Sequence, residues 1–253
     1  MTSKSVDIII PNYNKKRYLE EAILSVLDQS FKNWTLYIID DNSNDGSQDV
    51  INKFINHEKI IFKKLSKNKG PSFCRNLGMR ISSSEYIAFL DSDDLWKKNK
   101  LHEQVDFMNK NDYQFTFTDY TSFIEKDNKN SYLKATNLIQ EFDLKKFTHN
   151  SSINTSTMIV SRSILKNIKF KKLKKLEDYL FKCEILKKGH KAYKLNSNSA
   201  FYRIMKNSRS SARFENIRYL WKINKDYLKL NFFQNFHSIL MISYNSLKKY
   251  GFK

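Results

Sequence analysis

Cysteine, proline, glycine and acidic residues are all scarce in this chain of 253 residues. Cys74 and Cys183 are its only cysteines. Two thiols so far apart exclude a disulfide-built scaffold and fit a reducing compartment. With only two prolines and five glycines, collagen-like and low-complexity readings fall away. The sequence has no run of roughly 18 apolar residues, so no membrane-spanning helix is expected. Residues 1–7 carry no apolar leader and run straight into a strand-like segment, so the protein is expected to remain cytoplasmic. Aspartate and glutamate number 26 against 45 lysines and arginines, a net charge of +19. That excess either attracts polyanions (lipid headgroups, nucleic acid, a pyrophosphate substrate) or reflects a lysine-rich composition, since charge speaks to association before fold.

Hydrophobic residues at 40% and aromatics at 14% exclude wholesale disorder and can build one sizeable core. Residues 6–10 form a β-branched run stopped by Pro11 and, like residues 36–40, read as a buried strand; residues 60–65 are a third strand candidate and 86–90 a further strand. Between them lie helical patterns: Leu19, Ala22, Ile23, Val26 and Leu27 in residues 15–29; Val50, Ile51, Phe54 and Ile55; and a helix from the Lys69, Gly70, Pro71 turn to about Ile81. Strand and helix in alternation predict βαβ units and a mainly parallel sheet with flanking helices. Ligands in such sheets bind beyond the carboxyl ends of the strands. The segments 11–14, 40–43 and 91–94 therefore converge on one cleft.

The second half is less regular. A strand is predicted at 113–119, a polar loop at 122–131, a strand at 156–160, a helix at 176–188 stopped by Gly189, and two short strands at 191–195 and 200–204. A basic cluster runs over residues 166–175. From Phe214 onward a helix or helix pair is expected. Arg218, Lys222, Lys225 and Lys229 fall on one face, with Trp221, Tyr227, Phe232, Phe233 and Phe236 among the apolar residues. Such a segment either caps the core or lies against a membrane surface.

Four segments carry chemistry. A hydrophobic strand delivers Asp91, Ser92, Asp93 and Asp94 to its end, hard oxygen ligands for Mg²⁺ or Mn²⁺ that would also take substrate phosphate oxygens. Such an ion acts as a Lewis acid for a departing pyrophosphate; the plain alternative is an acidic helix cap. Asp41, just past the second strand, can accept a hydrogen bond from a base or ribose, for example from N3–H of uracil, where the alternative is an Asx-turn. Lys69 and Arg75 straddle a helix start, a place that favours anions. Glu177 and Asp178 open a later helix; either could be a general base, although position alone reads as acids favoured by a helix dipole.

In order and spacing, these segments resemble the family 2 glycosyltransferases, inverting enzymes of the GT-A fold, over residues 5 to about 204. The motifs carrying the likeness are residues 6–14, Asp41, the Asp91, Ser92, Asp93 triplet, and the Glu177, Asp178 pair. The resemblance implies that Pro11, Tyr13, Asn14, Asp41, Lys69, Arg75, Asp91, Ser92 and Arg203 bind the nucleotide-sugar donor. Asp93 and Asp91 would hold Mn²⁺ or Mg²⁺, and Asp178, beside Glu177, would be the catalytic base. It also implies a single in-line displacement, with a UDP-sugar favoured as donor and a glycan or lipid-linked acceptor, in bacterial surface-polysaccharide synthesis. Residues 202–210 resemble a late motif near the donor pyrophosphate. Many relatives carry histidine where Met205 stands, and Arg203, Lys206 and Arg209 would supply charge instead. The division expected is a donor half over 1–110, an acceptor half over 111–210 and a helical extension over 211–253, with peripheral contact at the inner face of an anionic membrane. No nucleic-acid-binding motif is recognisable. A nucleotidyltransferase would carry a glycine-rich loop after the first strand, which residues 11–14 lack. A non-catalytic scaffold would not need Asp91, Asp93 and Asp178 together.

Overall fold

A computed structural model describes residues 4–126, 129–135, 138–205 and 213–250. Its centre is one mixed sheet, flanked by helices on both faces, with strand order β3-β2-β1-β4-β9-β6-β10-β5. β1 (Val6–Asn12), β2 (Trp34–Asp40), β3 (Ile60–Lys64) and β4 (Tyr86–Phe89) are mutually parallel. They are joined by α1 (Lys16–Leu27), α2 (Ser47–Asn52) and α3 (Pro71–Ile81). Successive side chains of a strand point to opposite faces, and in β1, β2 and β4 both faces are buried, while the edge strand β3 buries only Ile60 fully. Ile9, Ile39, Ile87 and Phe89 enter one core, while Ile8, Ile10, Leu36, Ile38, Ala88 and Leu90 enter the other. This two-sided burial explains why these strands read as continuous apolar runs.

Helix α3 sits directly on β1. A Cβ placed on Gly78 would come within 2.6 Å of Ile9 Cγ2, so only glycine permits the approach. The helix begins where the prolyl ring at Pro71 suits a first helical position. Gly70 before it has φ +86°, a conformation that costs a side chain dearly. The consequence for function is that the α3 N-terminus is fixed relative to the carboxyl ends of β1 and β2.

The second half departs from its predicted outline in several places. Residues 122–131 are not a polar loop: β6 (Phe115–Lys126) pairs antiparallel with β7 (Lys129–Ala135). The segment is rich in polar and charged residues, so composition alone reads as loop. The two short strands at 191–195 and 200–204 are one, β10 (Ala192–Arg203), parallel to β6 with register shifts between Leu195 and Ala200. Asn198 and Ser199 bond Thr121 and Thr118 across the irregularity, holding the sheet together where the apolar alternation fails. Residues 155–157 form a 3₁₀ turn, and β9 (Ile159–Ser161) begins only after it. No helix lies at Trp96, which pairs with β10 in the short β5 (Leu95–Trp96); α4 (Lys100–Asn111) follows it. The remaining elements are β8 (Glu141–Phe142), α5 (Leu144–His149), α6 (Glu177–Lys187), α7 (Arg213–Asp226) and α8 (Phe232–Tyr250).

The cysteines are both buried and free, as expected of reduced thiols. Burial pushes the Cys74 thiol up to about 12 and the Cys183 thiol higher, so both are inert at neutral pH. Among the described residues, no helix is long and apolar enough to cross a membrane.

Candidate active site

The loops after β1 and β2 are laced together. Asn12 Nδ2 donates to Asp40 Oδ1 at 2.7 Å and to Ser43 Oγ at 3.2 Å. Asn14 receives the Asn44 amide, and its own amide donates to Ser43 Oγ. Asn14 and Asn42 both have positive φ, 51° and 63°. Asparagine tolerates this region better than most residues, which accounts for its use in both loops. Tyr13 stands exposed at the tip of the first loop, and Pro11 lies within β1 opposite Ile39.

Asp41 is buried, and its two oxygens accept the amides of Lys69 and Gly70, each at 2.7 Å. It therefore ties the end of β2 to the start of α3. Lys69 lays its ammonium over the Phe73 ring, 4.2 Å from the centroid. A cleft of about 550 Å³ opens beside this turn, lined by Lys67, Asn68, Lys69 and Lys172 among others.

Just past the end of β4, Asp91 and Asp93 each hold a cation. Arg75 Nη2 reaches Asp91 Oδ1 at 2.6 Å, and Lys15 Nζ reaches Asp93 Oδ2 at 2.8 Å. Lys15 also approaches Met205 Sδ at 3.6 Å, which brings the start of the late motif to the same point. Lys206 and Arg209 lie outside the described residues. Ser92 is buried within the turn. Asp94 points inward instead, accepting from Ser156 Oγ at 2.6 Å and from the Arg203 amide. Burial, with the charges of Asp93 and Asp91 added, pushes the Asp94 carboxyl well above the usual carboxylate range. Ser156 Oγ also receives the Asp91 amide, so one hydroxyl holds both ends of the turn.

Arg203 is placed differently from its expected role. Its guanidinium donates to Glu21, to Glu125 Oε2 at 3.0 Å and to the Asp93 carbonyl at 3.1 Å. Tyr18 and Phe123 cover it, each ring 4.5 Å away. Each of the three nitrogens makes a bond within the protein, and the one to the Asp93 carbonyl ties Arg203 to the Asp91, Ser92, Asp93 turn.

The acidic pair at the start of α6 completes the site. Leu176, in the left-handed region at φ 60°, turns the chain into the helix, a strained conformation for a branched side chain. Arg75 is buried and bridges the two segments: besides Asp91 it lies 3.6 Å from Glu177 Oε1. Burial disfavours its charge, but Asp91 and Glu177 outweigh that and hold its pKa above the ordinary value. Phe170, stacked on Phe181 at 3.8 Å, supports the guanidinium 5.2 Å from its ring. Asp178 accepts from Lys182 Nζ at 2.8 Å and Thr155 Oγ1 at 3.2 Å, while 36% of its side chain remains exposed. Burial raises its pKa, yet the Lys182 charge and hydrogen bond, helped by Arg75, prevail and hold it at about 2. The residue is a carboxylate at every physiological pH.

The structure therefore links the Asp91, Ser92, Asp93 turn to the Glu177, Asp178 pair through Arg75, while Asp41 holds the Lys69, Gly70 turn at the start of α3. Sequence reasoning missed Lys15, Ser156, Thr155 and Lys182. Of these only Lys182 had a local signal, its position four residues after Asp178 on one helix face.

Two carboxylates a residue apart, each with one oxygen in an ion pair, suit a hard divalent cation that completes its shell with phosphate oxygens. Among the described residues no cluster of three or more His, Cys, Asp or Glu side chains is placed to hold an ion by itself. The donor set thus fits Mg²⁺ or Mn²⁺ arriving with a diphosphate.

The fold is of the GT-A type. The sequence profile of Glycosyl transferase family 2 matches residues 7–169, and the chain belongs to that family. It is a glycosyltransferase of cell-surface polysaccharide synthesis. It is 36% identical over 215 residues to the Escherichia coli UDP-Glc:alpha-D-GlcNAc-diphosphoundecaprenol beta-1,3-glucosyltransferase WfaP, covering 84% of this chain and 82% of that one. Among solved structures, Staphylococcus aureus TarS (residues 1–349) in complex with UDP-GlcNAc superposes with a TM-score of 0.72 at 20% identity, over 98% of this chain and 73% of that one. The Pyrobaculum calidifontis mannosyltransferase PcManGT, in complex with GDP-Man and Mn²⁺, gives 0.71 at 12% identity, over 100% and 77%.

Proposed function

We propose that the protein transfers a sugar from a UDP-linked donor, with inversion, to a hydroxyl of a lipid-linked glycan acceptor. The observation that carries this reading is the position of Arg75, in contact with Asp91 on the donor side and with Glu177, the neighbour of Asp178, on the other. Donor carboxylates and base thereby share one rigid support. The UDP donor is supported by the name of WfaP, which specifies UDP-Glc and a diphosphoundecaprenol acceptor, and by the UDP-GlcNAc complex of TarS.

In this mechanism Tyr13, Asn14 and the Asp41 turn bound the nucleotide end of the cleft, with Lys69 at its edge. Asp91 and Asp93 would hold a Mg²⁺ or Mn²⁺ ion, which when bound offsets the charge of the leaving diphosphate. Lys15 adds a fixed positive charge at the same point. The acceptor hydroxyl attacks the anomeric carbon while its proton passes to Asp178. The bond from that carbon to the phosphate oxygen breaks, and its electron pair leaves with UDP. No covalent intermediate on the enzyme is required, and configuration inverts. Thr155 and Lys182 fix the orientation of Asp178, and Lys182 keeps it ionised at the cost of some basicity. Residues 1–110 supply the donor half and 111–210 the acceptor half, with 211–253 as a helical extension that would meet the inner face of the cytoplasmic membrane.

The reading predicts that UDP release from UDP-glucose or UDP-N-acetylglucosamine, in the presence of a diphospholipid acceptor, requires Mg²⁺ or Mn²⁺ and stops on chelation. Acceptor-dependent turnover that persists in excess chelator would refute the role given to Asp91 and Asp93.

A further inference from the structure

Helix α8 packs on the body of the protein with one face and leaves an apolar arc outside. Its inward face is mixed: Ile239 and Ile242 pack against the core, while Asn235 and Ser238 are buried, and with Asn245 they bond the carbonyls of Trp221, Thr148 and His149 respectively. Asn224 of α7 joins this network through Asn235 and Ser238, and through the hydroxyl of Tyr179. The outward face is apolar. Phe233 is 80% exposed, Phe232 64%, Tyr244 60%, and Phe236 and Leu240 each 51%. At 100° per residue these five side chains fall within an arc of about 120°. The neighbouring α7 caps the core through Leu220 and Ile223. A soluble helix ordinarily turns its apolar arc inward, and an exposed patch of this size marks an interaction surface.

Charge says what covers it. From Tyr227 to Lys253 the chain has no acidic residue, while Lys229 precedes the arc and Lys248 follows it. Lys222 and Lys225 project, exposed, from the neighbouring helix, whose Trp221 meets Phe232 at 5.5 Å between ring centroids. Aromatic side chains flanked by lysines suit an interfacial helix that buries rings at the level of anionic headgroups. A second copy of the chain would bring like charges together at the same face, which disfavours self-association.

We infer that the exposed face of α8, with the lysines of α7, docks the protein on an anionic phospholipid surface. The inference deepens the membrane placement proposed above and rests on it only for the nature of the acceptor. Its test is co-sedimentation of the full-length protein with phosphatidylcholine vesicles, with and without phosphatidylglycerol, at physiological salt. Binding is expected to need the anionic lipid and to shift Trp221 emission to shorter wavelength. A Phe233→Ser, Phe236→Ser, Leu240→Ser triple variant should weaken vesicle binding at least about tenfold. Lys225→Glu with Lys229→Glu should do likewise, and UDP affinity should be unchanged in both. Because every substituted side chain is exposed, the variants retain the core, which an unaltered melting temperature verifies. Failure to sediment with anionic vesicles would overturn the inference, as would a concentration-dependent dimer that the serine variant dissolves, or capture of an acidic protein partner in place of lipid. UDP binding with no vesicle binding would sink the membrane face and leave the transfer reading standing.

Discussion

Replacing Asp178 by Asn is expected to lower kcat for sugar transfer by about 10³-fold while leaving UDP affinity unchanged. The substitution keeps size and the bond from Thr155 but removes the proton acceptor, so only steps that require deprotonation of the acceptor suffer. The carboxylate is held at a pKa of about 2 because Lys182 and Arg75 overcome the effect of burial. Its folded value is depressed below its unfolded one, so the pairing contributes stability above the ordinary aspartate range and loses it as pH falls toward 2. Asp178 accordingly remains ionised throughout the pH range of an ordinary assay, and no acid limb of the wild-type rate profile near pH 4 belongs to its titration. Transfer by the Asn variant within a few-fold of wild type, measured at saturating donor and acceptor, would remove Asp178 from the mechanism.

Replacing Arg75 by Met should cost about 3 kcal/mol of stability, since removing one partner of a buried ion pair strands the others. Asp91 keeps part of its side chain in solvent and can recover hydration, but Glu177 is buried and cannot. For a chain of this size the melting temperature should fall by roughly 6–12 °C. Donor binding should weaken as well, because Asp91 loses the contact that aims it. A thermal melt and a UDP titration of the same sample read both effects. An unchanged melting temperature would mean that the Asp91, Arg75 and Glu177 arrangement does not hold the cleft together.

Much of the fold of the first half was legible in the sequence, because each element there announces itself locally. A strand buried on both faces must be a continuous apolar run, so β1, β2 and β4 stood out, and with them the loops at their ends. Asp91 and Asp93 follow one such strand directly. The second half was less readable where local composition conflicts with tertiary role. The β6–β7 hairpin is polar enough to resemble a loop, and Asn196, Ser197 and Asn198 interrupt β10 like a turn although its pairing with β6 continues across them. Arg203 shows the same limit for function. Its sequence neighbourhood suits a phosphate ligand, yet Glu21 and Glu125, both distant in the chain, converge on it and make it a support. Lys15 reaches Asp93 across 78 positions of sequence, and nothing in its own segment signals that contact.

The central claim is that Asp91 and Asp93 form the cation-dependent end of a donor site. Calorimetric titration of the wild-type protein and an Asp93→Ala variant with UDP, with and without Mn²⁺, tests it most directly. The account predicts binding that Mn²⁺ strengthens in the wild type, and loss of that strengthening in the variant. Equal UDP binding by both proteins, indifferent to the cation, would contradict it.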